Sequence, residues 1–226
     1  MTNLAKQAIK AVIFDMDGVL VDSEEWWFEE TKKWLSRLIQ KPWDNEEEAR
    51  ITGKSVPDIY RALRKLYKIA ITEQKFFNGY NKLARNVYLK KCSLMPRVLE
   101  ILSALKSRNM PIALSSSSPH SWIKMMVTRF EIAQYFTVTA SSEDVGFRGK
   151  PAPDIYLCTA KKLGVKPAEC IAIEDSKNGI LSAAAAGMIA VWYKTPYNKL
   201  QKPEAANAVI TNLMEAASFV DSIVHN

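Results

Sequence analysis

Four groups of residues carry the chemistry this sequence can do. Asp15 and Asp17 stand two apart and are followed by Gly18. Glu174 and Asp175 form a second acidic pair, Ser115–Ser118 a run of hydroxyls, and Lys150 stands just ahead of Pro151-Ala152-Pro153-Asp154. Two carboxylates as close as Asp15 and Asp17 repel one another unless a cation neutralises them or one holds a proton. Such a pair suits a nucleophile beside a general acid/base, since an aspartate can attack phosphorus and a second carboxyl can move the proton. With oxygen donors alone and only two histidines, His120 and His225, the acids point to Mg²⁺ rather than to a zinc site. The serines offer hydroxyls and N–H groups to a phosphate near the start of a helix. A stiff backbone after Lys150 could hold its ammonium over the same anion. Each group also has a plain structural reading: turn residues, helix N-termini, a polar loop, a solvated lysine. Asp154 reads as the N-cap of a helix, and a serine before Pro119 as another N-cap.

What favours chemistry is the framework that must carry them. The hydrophobic pattern predicts strands at 8–14, 111–114, 135–140, 170–173, 189–193 and 208–210. Helices are expected at 98–108, 119–131, 154–163 (with Gly164 just past its end), 178–186, and after the last strand. Strands alternating with helices imply βαβ units and a parallel sheet. In such a sheet ligands bind beyond the carboxyl ends of the strands. All four groups lie just after strands, so the fold would bring them to one edge.

Between the first strand and the rest lies a different texture. Trp27, Trp34, Leu35 and Leu38 fall on one helical face, and Pro42 stops that helix. Asp44 and Glu47 have capping-box spacing. Ile59, Leu63 and Leu66 make a second stripe, and Phe76, Tyr80, Leu83 and Val87 a third. Residues 24–93 therefore read as a helical block. The expected organisation is one α/β domain, residues 1–21 and 94–226, with a helical insert at 22–93. Trp26 and Trp27 are adjacent and cannot share a helix face. One of them is free to face the cleft.

Composition narrows the partners. The 226 residues are 48% hydrophobic and 24% charged, enough apolar surface for a substantial core. No apolar run is long enough to span a bilayer, and Met1–Lys10 lacks a secretory leader's apolar stretch. Three widely spaced cysteines suggest reduced thiols and a cytoplasmic protein. The net charge of +7 suits nucleic acid, an anionic membrane face or a small anionic substrate. Residues 24–93 hold 15 Lys/Arg against 10 Asp/Glu, mixed along helices as on solvated faces, with no basic block. A small anionic substrate and a monomer are expected, without nucleic acid or membrane.

Together Asp15-Met16-Asp17-Gly18-Val19-Leu20, the serine after the second core strand, Lys150-Pro151-Ala152-Pro153-Asp154 and Ile173-Glu174-Asp175-Ser176 resemble the four motifs of the haloacid dehalogenase superfamily. The resemblance covers the whole chain. It is strongest to the β-phosphoglucomutase-like subgroup, and there to its hexitol- and 2-deoxyglucose-6-phosphate phosphatases. It implies a Rossmann-like doubly wound parallel sheet with a helical C1 cap, and a Mg²⁺-dependent phosphatase of sugar or polyol phosphates. It implies that Asp15 is the nucleophile and a Mg²⁺ ligand. Asp17 is then the acid/base, with its carbonyl also on Mg²⁺. Ser116 binds the phosphoryl group, with Ser115 the second choice. Ser117 adds loop contacts, Lys150 neutralises charge, Asp175 binds Mg²⁺, and Glu174 stands beside it. Dehalogenase members lack the second aspartate, so Asp17 argues for phosphoryl transfer. The phosphosugar mutases of the superfamily carry an arginine in a cap loop. The matching Gly53-Lys54-Ser55-Val56-Pro57 has none, which argues against a mutase, although Lys54 could compensate.

Overall fold

The structure is a computed structural model that describes residues 8–51, 54–199, 201 and 203–224. Gly53 and His225 lie outside the described residues. Six parallel strands form one sheet in the order β3-β2-β1-β4-β5-β6. They are β1 (Ala11–Phe14), β2 (Ile112–Ser116), β3 (Val138–Ser141), β4 (Cys170–Glu174), β5 (Ile189–Tyr193) and β6 (Ala208–Ile210). Every residue of β1, β2, β4 and β5 is buried. That explains why their sequences are nearly continuous apolar runs rather than alternating ones.

Side-chain alternation along β1 splits the core in two. Val12 and Phe14 face the cluster that includes α5 (Val98–Ser107) and α9 (Met214–Val224). Ala11 and Ile13 face the one that includes α7 (Asp154–Leu163) and α8 (Lys177–Ala185). Helices therefore cover both faces, as a doubly wound sheet requires. The first cluster continues through Met16, Leu20, Tyr88 and Cys92 into the helices that precede α5. Those are α1 (Glu24–Ile39), α2 (Asn45–Ile51), α3 (Val56–Tyr67) and α4 (Glu73–Asn86), followed by a π-helical turn at Val87–Lys91. The remaining helix, α6 (His120–Arg129), follows β2. The chain leaves the sheet side and returns to it through two adjacent segments. Val21 bridges Leu94 antiparallel, Asp22 N–H donates to the Ser93 carbonyl (3.1 Å), and Met95 N–H donates to the Leu20 carbonyl (2.9 Å). Among the described residues no helix is long and apolar enough to cross a membrane.

Several local expectations are corrected. Leu66 is half exposed, and Tyr60 fills the buried face of α3 beside Ile59 and Leu63. Residues 133–135 form a tight turn in which the Tyr135 N–H bonds the Ile132 carbonyl, so β3 starts only at Val138. Asp44 caps α2 by accepting from the N–H groups of Glu46 and Glu47. The Glu47 carboxylate does not close a capping box; it takes Lys41 and Tyr67 instead. Asp154 is the first residue of α7 rather than its cap, and its carboxylate accepts from Arg148 at 2.9 Å. The position before α6 is held by Pro119, not by a serine.

Candidate active site

The sheet order puts β1 between β2 and β4, so the chain steps off β1 to both sides. That is the switch point where an open α/β sheet leaves a crevice. Phe14 is in register with Leu114 on one side and Ile173 on the other. The next residues, Asp15, Ser115 and Glu174, therefore line up at the carboxyl edge. The Asp15 N–H donates to the Ile173 carbonyl at 3.0 Å, which anchors the residue before the chain turns away. Gly18 makes that turn with φ +78°, its N–H donating to the Val21 carbonyl at 2.8 Å.

Asp15 is buried and receives the Lys150 ammonium on Oδ1 at 2.6 Å. The same ammonium bonds Glu174 Oε1, and so does the Tyr156 hydroxyl. Lys150 thus clamps two carboxylates from adjacent strand ends. It stands at the end of a loop whose Lys150–Pro151 peptide bond is cis. Burial opposes its charge, but Asp15 and Glu174 together hold its pKa above the ordinary lysine value. Asp15 is the mirror case. Burial pushes its pKa up to about 8, against the pull of Lys150 and with further push from Glu174 and Asp17.

Asp17 has a different setting. Among the described residues it has no ammonium bonded to it but a ring of hydroxyls. Ser23 Oγ and Tyr88 Oη donate to Oδ1, the latter at 2.8 Å, and Ser118 Oγ reaches Oδ2 at 3.4 Å. Its pKa is raised by burial and only partly drawn back by Ser23 and Tyr88. Tyr88 is oriented in turn by Trp27 Nε1, which donates to its oxygen at 3.1 Å. The π-helical turn that carries Tyr88 is a rare backbone form, found most often at functional sites.

Asp175 follows β4 and is held by its backbone. Trp192 Nε1 and Asn198 Nδ2 donate to its carbonyl at 3.2 and 2.7 Å. Burial and the neighbouring Glu24, Glu174 and Asp15 raise its carboxyl pKa well above the usual range. Oxygens of Asp15, Glu174 and Asp175 lie within 4.8 Å of one another. Three buried carboxylates share one ammonium, and burial raises two of them. That donor set is all oxygen, crowded and short of positive charge, and it fits a hard divalent cation. Asp17 is outside this carboxylate cluster.

Two glycines make room for the acids. A Cβ on Gly18 would lie 2.0 Å from Asp175 Oδ2, and one on Gly179 would lie 2.0 Å from the Glu174 carboxylate. Any side chain at either place would displace an acid of the cluster. Gly179 also donates its N–H to Ser176 Oγ, the N-cap of α8.

Of the serine run, Ser116, Ser117 and Ser118 line a cavity of about 430 Å³ that opens above the strand ends. Ser116 Oγ accepts from the Ser118 N–H at 3.1 Å. Ser115 points away by strand alternation; it is buried, and its hydroxyl has no partner among the described residues. Asp15, Asp17, Lys150 and Asp175 line the same cavity, whereas Glu174 sits below its surface. Helices α1–α4 form the opposite wall, with Trp27 reaching in. Its neighbour Trp26 packs instead under Lys91, 5.0 Å from the ring centre.

Residues 12–193 match the haloacid dehalogenase-like hydrolase family. The chain belongs to that family. Within it the chain is 31% identical to a phosphorylated carbohydrates phosphatase of Thermotoga maritima, with 80% of this chain and 82% of that protein covered. It is 30% identical to hexitol phosphatase B of Escherichia coli, covering 83% and 85%. A bifunctional riboflavin kinase/FMN phosphatase of Arabidopsis thaliana is 28% identical over 95% of this chain, which spans 56% of that longer protein. The solved β-phosphoglucomutase of Clostridium difficile superposes with a TM-score of 0.78 at 25% identity, covering 96% and 97%. The expected superfamily, subgroup and sheet architecture are therefore those of the chain.

In this haloacid dehalogenase-like hydrolase the acids, Lys150 and Ser116 stand together at one edge, as the sequence predicts. The groups that set their electrostatics are not predicted by it. Tyr88 reaches Asp17 across 71 positions of chain and Tyr156 reaches Glu174 from inside α7. Neither tyrosine carries a local signal, since both look like ordinary packing residues of helices. Glu24 lines the cavity near Asp175, whose pKa it helps to raise, and its own is raised by burial and by Asp17. In the sequence it is one more acid at a helix start.

Proposed function

We propose that this hydrolase is a Mg²⁺-dependent phosphatase of small phosphorylated sugar metabolites that works through an acyl phosphate on Asp15. The observation that carries the proposal is the unequal setting of the two aspartates. Asp15 is bonded to a buried ammonium and Asp17, among the described residues, only to hydroxyls. Two carboxyls in such different surroundings are fitted for different tasks. Asp15 points at the cavity, and Lys150 together with a bound divalent ion would draw it to the anion that attacks phosphorus. Asp17, with a raised pKa and hydroxyl partners, keeps a proton to give.

In the first step an Asp15 oxygen forms a bond to phosphorus and the ester bond to the leaving alcohol breaks. Asp17 passes its proton to the departing oxygen. In the second step Asp17, now a carboxylate, takes a proton from water as that water attacks phosphorus. The acyl-phosphate bond breaks, inorganic phosphate leaves, and both aspartates return to their first state. Ser116 and Ser117 hold phosphoryl oxygens, and Lys150 offsets the charge of Asp15 and of the incoming phosphate. Asp15, Asp175 and the backbone of Asp17 would hold Mg²⁺, with Glu174 beside them. Bound there, the ion supplies positive charge to the phosphoryl group and lowers the pKa of the acids.

Residues 22–93 serve as a helical cap over a core formed by residues 1–21 and 94–226. The paired crossings at Val21–Ser23 and Ser93–Met95 are the hinges, and closure excludes water from the phosphoryl group. Three unpaired cysteines among the described residues support a cytoplasmic location, and a monomer is proposed with it. A phosphosugar mutase is the second reading. It is favoured by Lys54, which lines the cavity and could take a second phosphate.

The test is phosphate release from hexose, hexitol, pentose and nucleoside monophosphates. Release is expected with Mg²⁺, is lost in EDTA and returns when Mg²⁺ is restored. Indifference to the chelator would overturn the metal assignment. An isomeric sugar phosphate seen by NMR, without phosphate release, would replace phosphatase by mutase.

A further inference from the structure

An acid that serves a leaving group must present one particular oxygen to it, and the hydroxyls around Asp17 decide which. Ser23 Oγ and Tyr88 Oη both donate to Oδ1, the latter at 2.8 Å. Oδ2 has, among the described residues, only Ser118 Oγ at 3.4 Å. A carboxyl oxygen has two lone pairs. Two donors fill those of Oδ1, so a proton on this carboxyl belongs on Oδ2. The two oxygens also face different surroundings. Ser118 and Asp17 line the cavity, whereas Ser23 and Tyr88 are fully buried behind it.

Tyr88 is built to hold this arrangement. Trp27 Nε1 donates to its oxygen at 3.1 Å, so the phenol proton is left to serve a different neighbour. Asp17 Oδ1 stands at 2.8 Å and Ser118 Oγ at 3.4 Å. The carboxyl is both the nearer and the stronger acceptor. The tyrosine is fixed from two sides as well. Its ring meets Trp27 edge-on at 5.8 Å between centres, and Trp27 is stacked on Trp122 of α6 at 5.0 Å. Arg129, about two turns further along α6, donates from Nη1 to the Tyr88 carbonyl at 2.8 Å. Trp122 Nε1 donates to Asn81 Oδ1 of α4 at 2.7 Å. Helix α6 thus grips both the π-helical turn and the helix before it. For packing alone a phenylalanine would do.

We propose that Tyr88 is a positioning residue for the acid: together with Ser23 it saturates Asp17 Oδ1 and keeps Oδ2 turned to the cavity as the oxygen that passes its proton to the leaving alcohol. This deepens the phosphatase reading and rests on it. In the transfer the O–H bond at Oδ2 breaks, the proton goes to the ester oxygen, and the P–O bond to that oxygen breaks. Tyr88 keeps its own proton throughout. Its hydrogen bond strengthens as the carboxylate charge appears.

The experiment uses Tyr88→Phe, which removes the hydroxyl and keeps the ring. It compares kcat/KM for glucitol 6-phosphate, whose alkoxide needs a proton to leave, and 4-nitrophenyl phosphate, whose phenolate does not. The variant should lose roughly 10- to 100-fold on the glucitol ester, the cost of a misplaced catalytic group, and roughly tenfold less than that on the nitrophenyl ester. The loss on the glucitol ester should sit in kcat rather than KM. Ser23→Ala removes the other donor to Oδ1 and should show the same selectivity. Equal losses on both esters would mean a structural role and overturn the proposal, as would no loss on either. Neutron diffraction from crystals exchanged into D₂O needs no turnover. The Tyr88 deuteron should point at Asp17 Oδ1; one aimed at Ser118 would overturn the proposal whatever the kinetics. If the parent does not hydrolyse the glucitol ester, the deuteron decides alone. If it hydrolyses neither ester, the phosphatase reading fails, and the deuteron shows whether Tyr88 still holds Asp17.

Discussion

Asp15→Asn will lower kcat for phosphate release by roughly 10⁴- to 10⁶-fold, the scale on which loss of a nucleophile is felt. Its melting temperature in EDTA at pH 8 will rise. The two effects have one cause. Asp15 is held as a buried carboxyl next to other acids, and its pKa is pushed up to about 8 from an ordinary value of 3.8. The folded state therefore binds a proton that the unfolded chain has already released over the range from about pH 4 to pH 8. Where the folded state holds more protons, stability falls as pH rises. Wild-type protein without divalent ions should lose stability across that window, and the asparagine variant, which cannot titrate there, should lose less. The difference should be absent below pH 4 and complete above pH 8. Activity assays with thermal melts at pH 5 and pH 8 check both halves. A variant that is inactive because it is misfolded would melt lower at both pH values. An active variant would remove Asp15 from the chemistry.

Lys150→Met will have the opposite effect on stability. The ammonium is buried and bonds Asp15 at 2.6 Å and Glu174 from the neighbouring strand end. Methionine keeps much of the length and volume but leaves two buried carboxylates without a counter-charge. Removing one partner of a buried ion pair costs about 3–5 kcal/mol. For a chain of this size each 1 kcal/mol is roughly 2–4 °C in melting temperature, so a fall on the order of 10 °C is expected. kcat should drop by roughly 10²- to 10³-fold, as when a fixed donor to developing charge is lost. Adding Glu174→Gln to this variant removes one of the stranded charges. It should recover part of the lost stability and none of the activity. A Lys150→Met protein that melts like the parent would show that the clamp is not formed in solution.

These variants probe what lay deepest below the sequence. The strands were legible because β1, β2, β4 and β5 are buried on both faces, and burial on both faces writes unbroken apolar runs. Their carboxyl ends were legible for the same reason. Asp15, Ser116, Lys150 and Glu174 could therefore be brought to one edge before any distance was known. Electrostatic detail was not legible, because it depends on long-range partners. Nothing near Tyr88 says that its hydroxyl meets Asp17, or that a π-helical turn places it there. Nothing in the sequence around Gly179 says that its missing Cβ is where the Glu174 carboxylate packs. Helix ends failed where side chains had better partners elsewhere. Asp154 took Arg148, and Glu47 took Lys41 and Tyr67. Leu66 kept the spacing of its stripe but falls at the last turn of α3, where it faces water.

The central claim is that phosphate passes through an acyl phosphate on Asp15 in two displacements. Its most direct test is the stereochemical course at phosphorus, followed with a substrate whose phosphoryl group is made chiral with sulfur and oxygen isotopes and hydrolysed in isotopically labelled water. Each in-line displacement inverts the centre, so transfer to Asp15 followed by transfer to water predicts net retention. Net inversion would mean that water attacks the substrate directly, and would contradict the account.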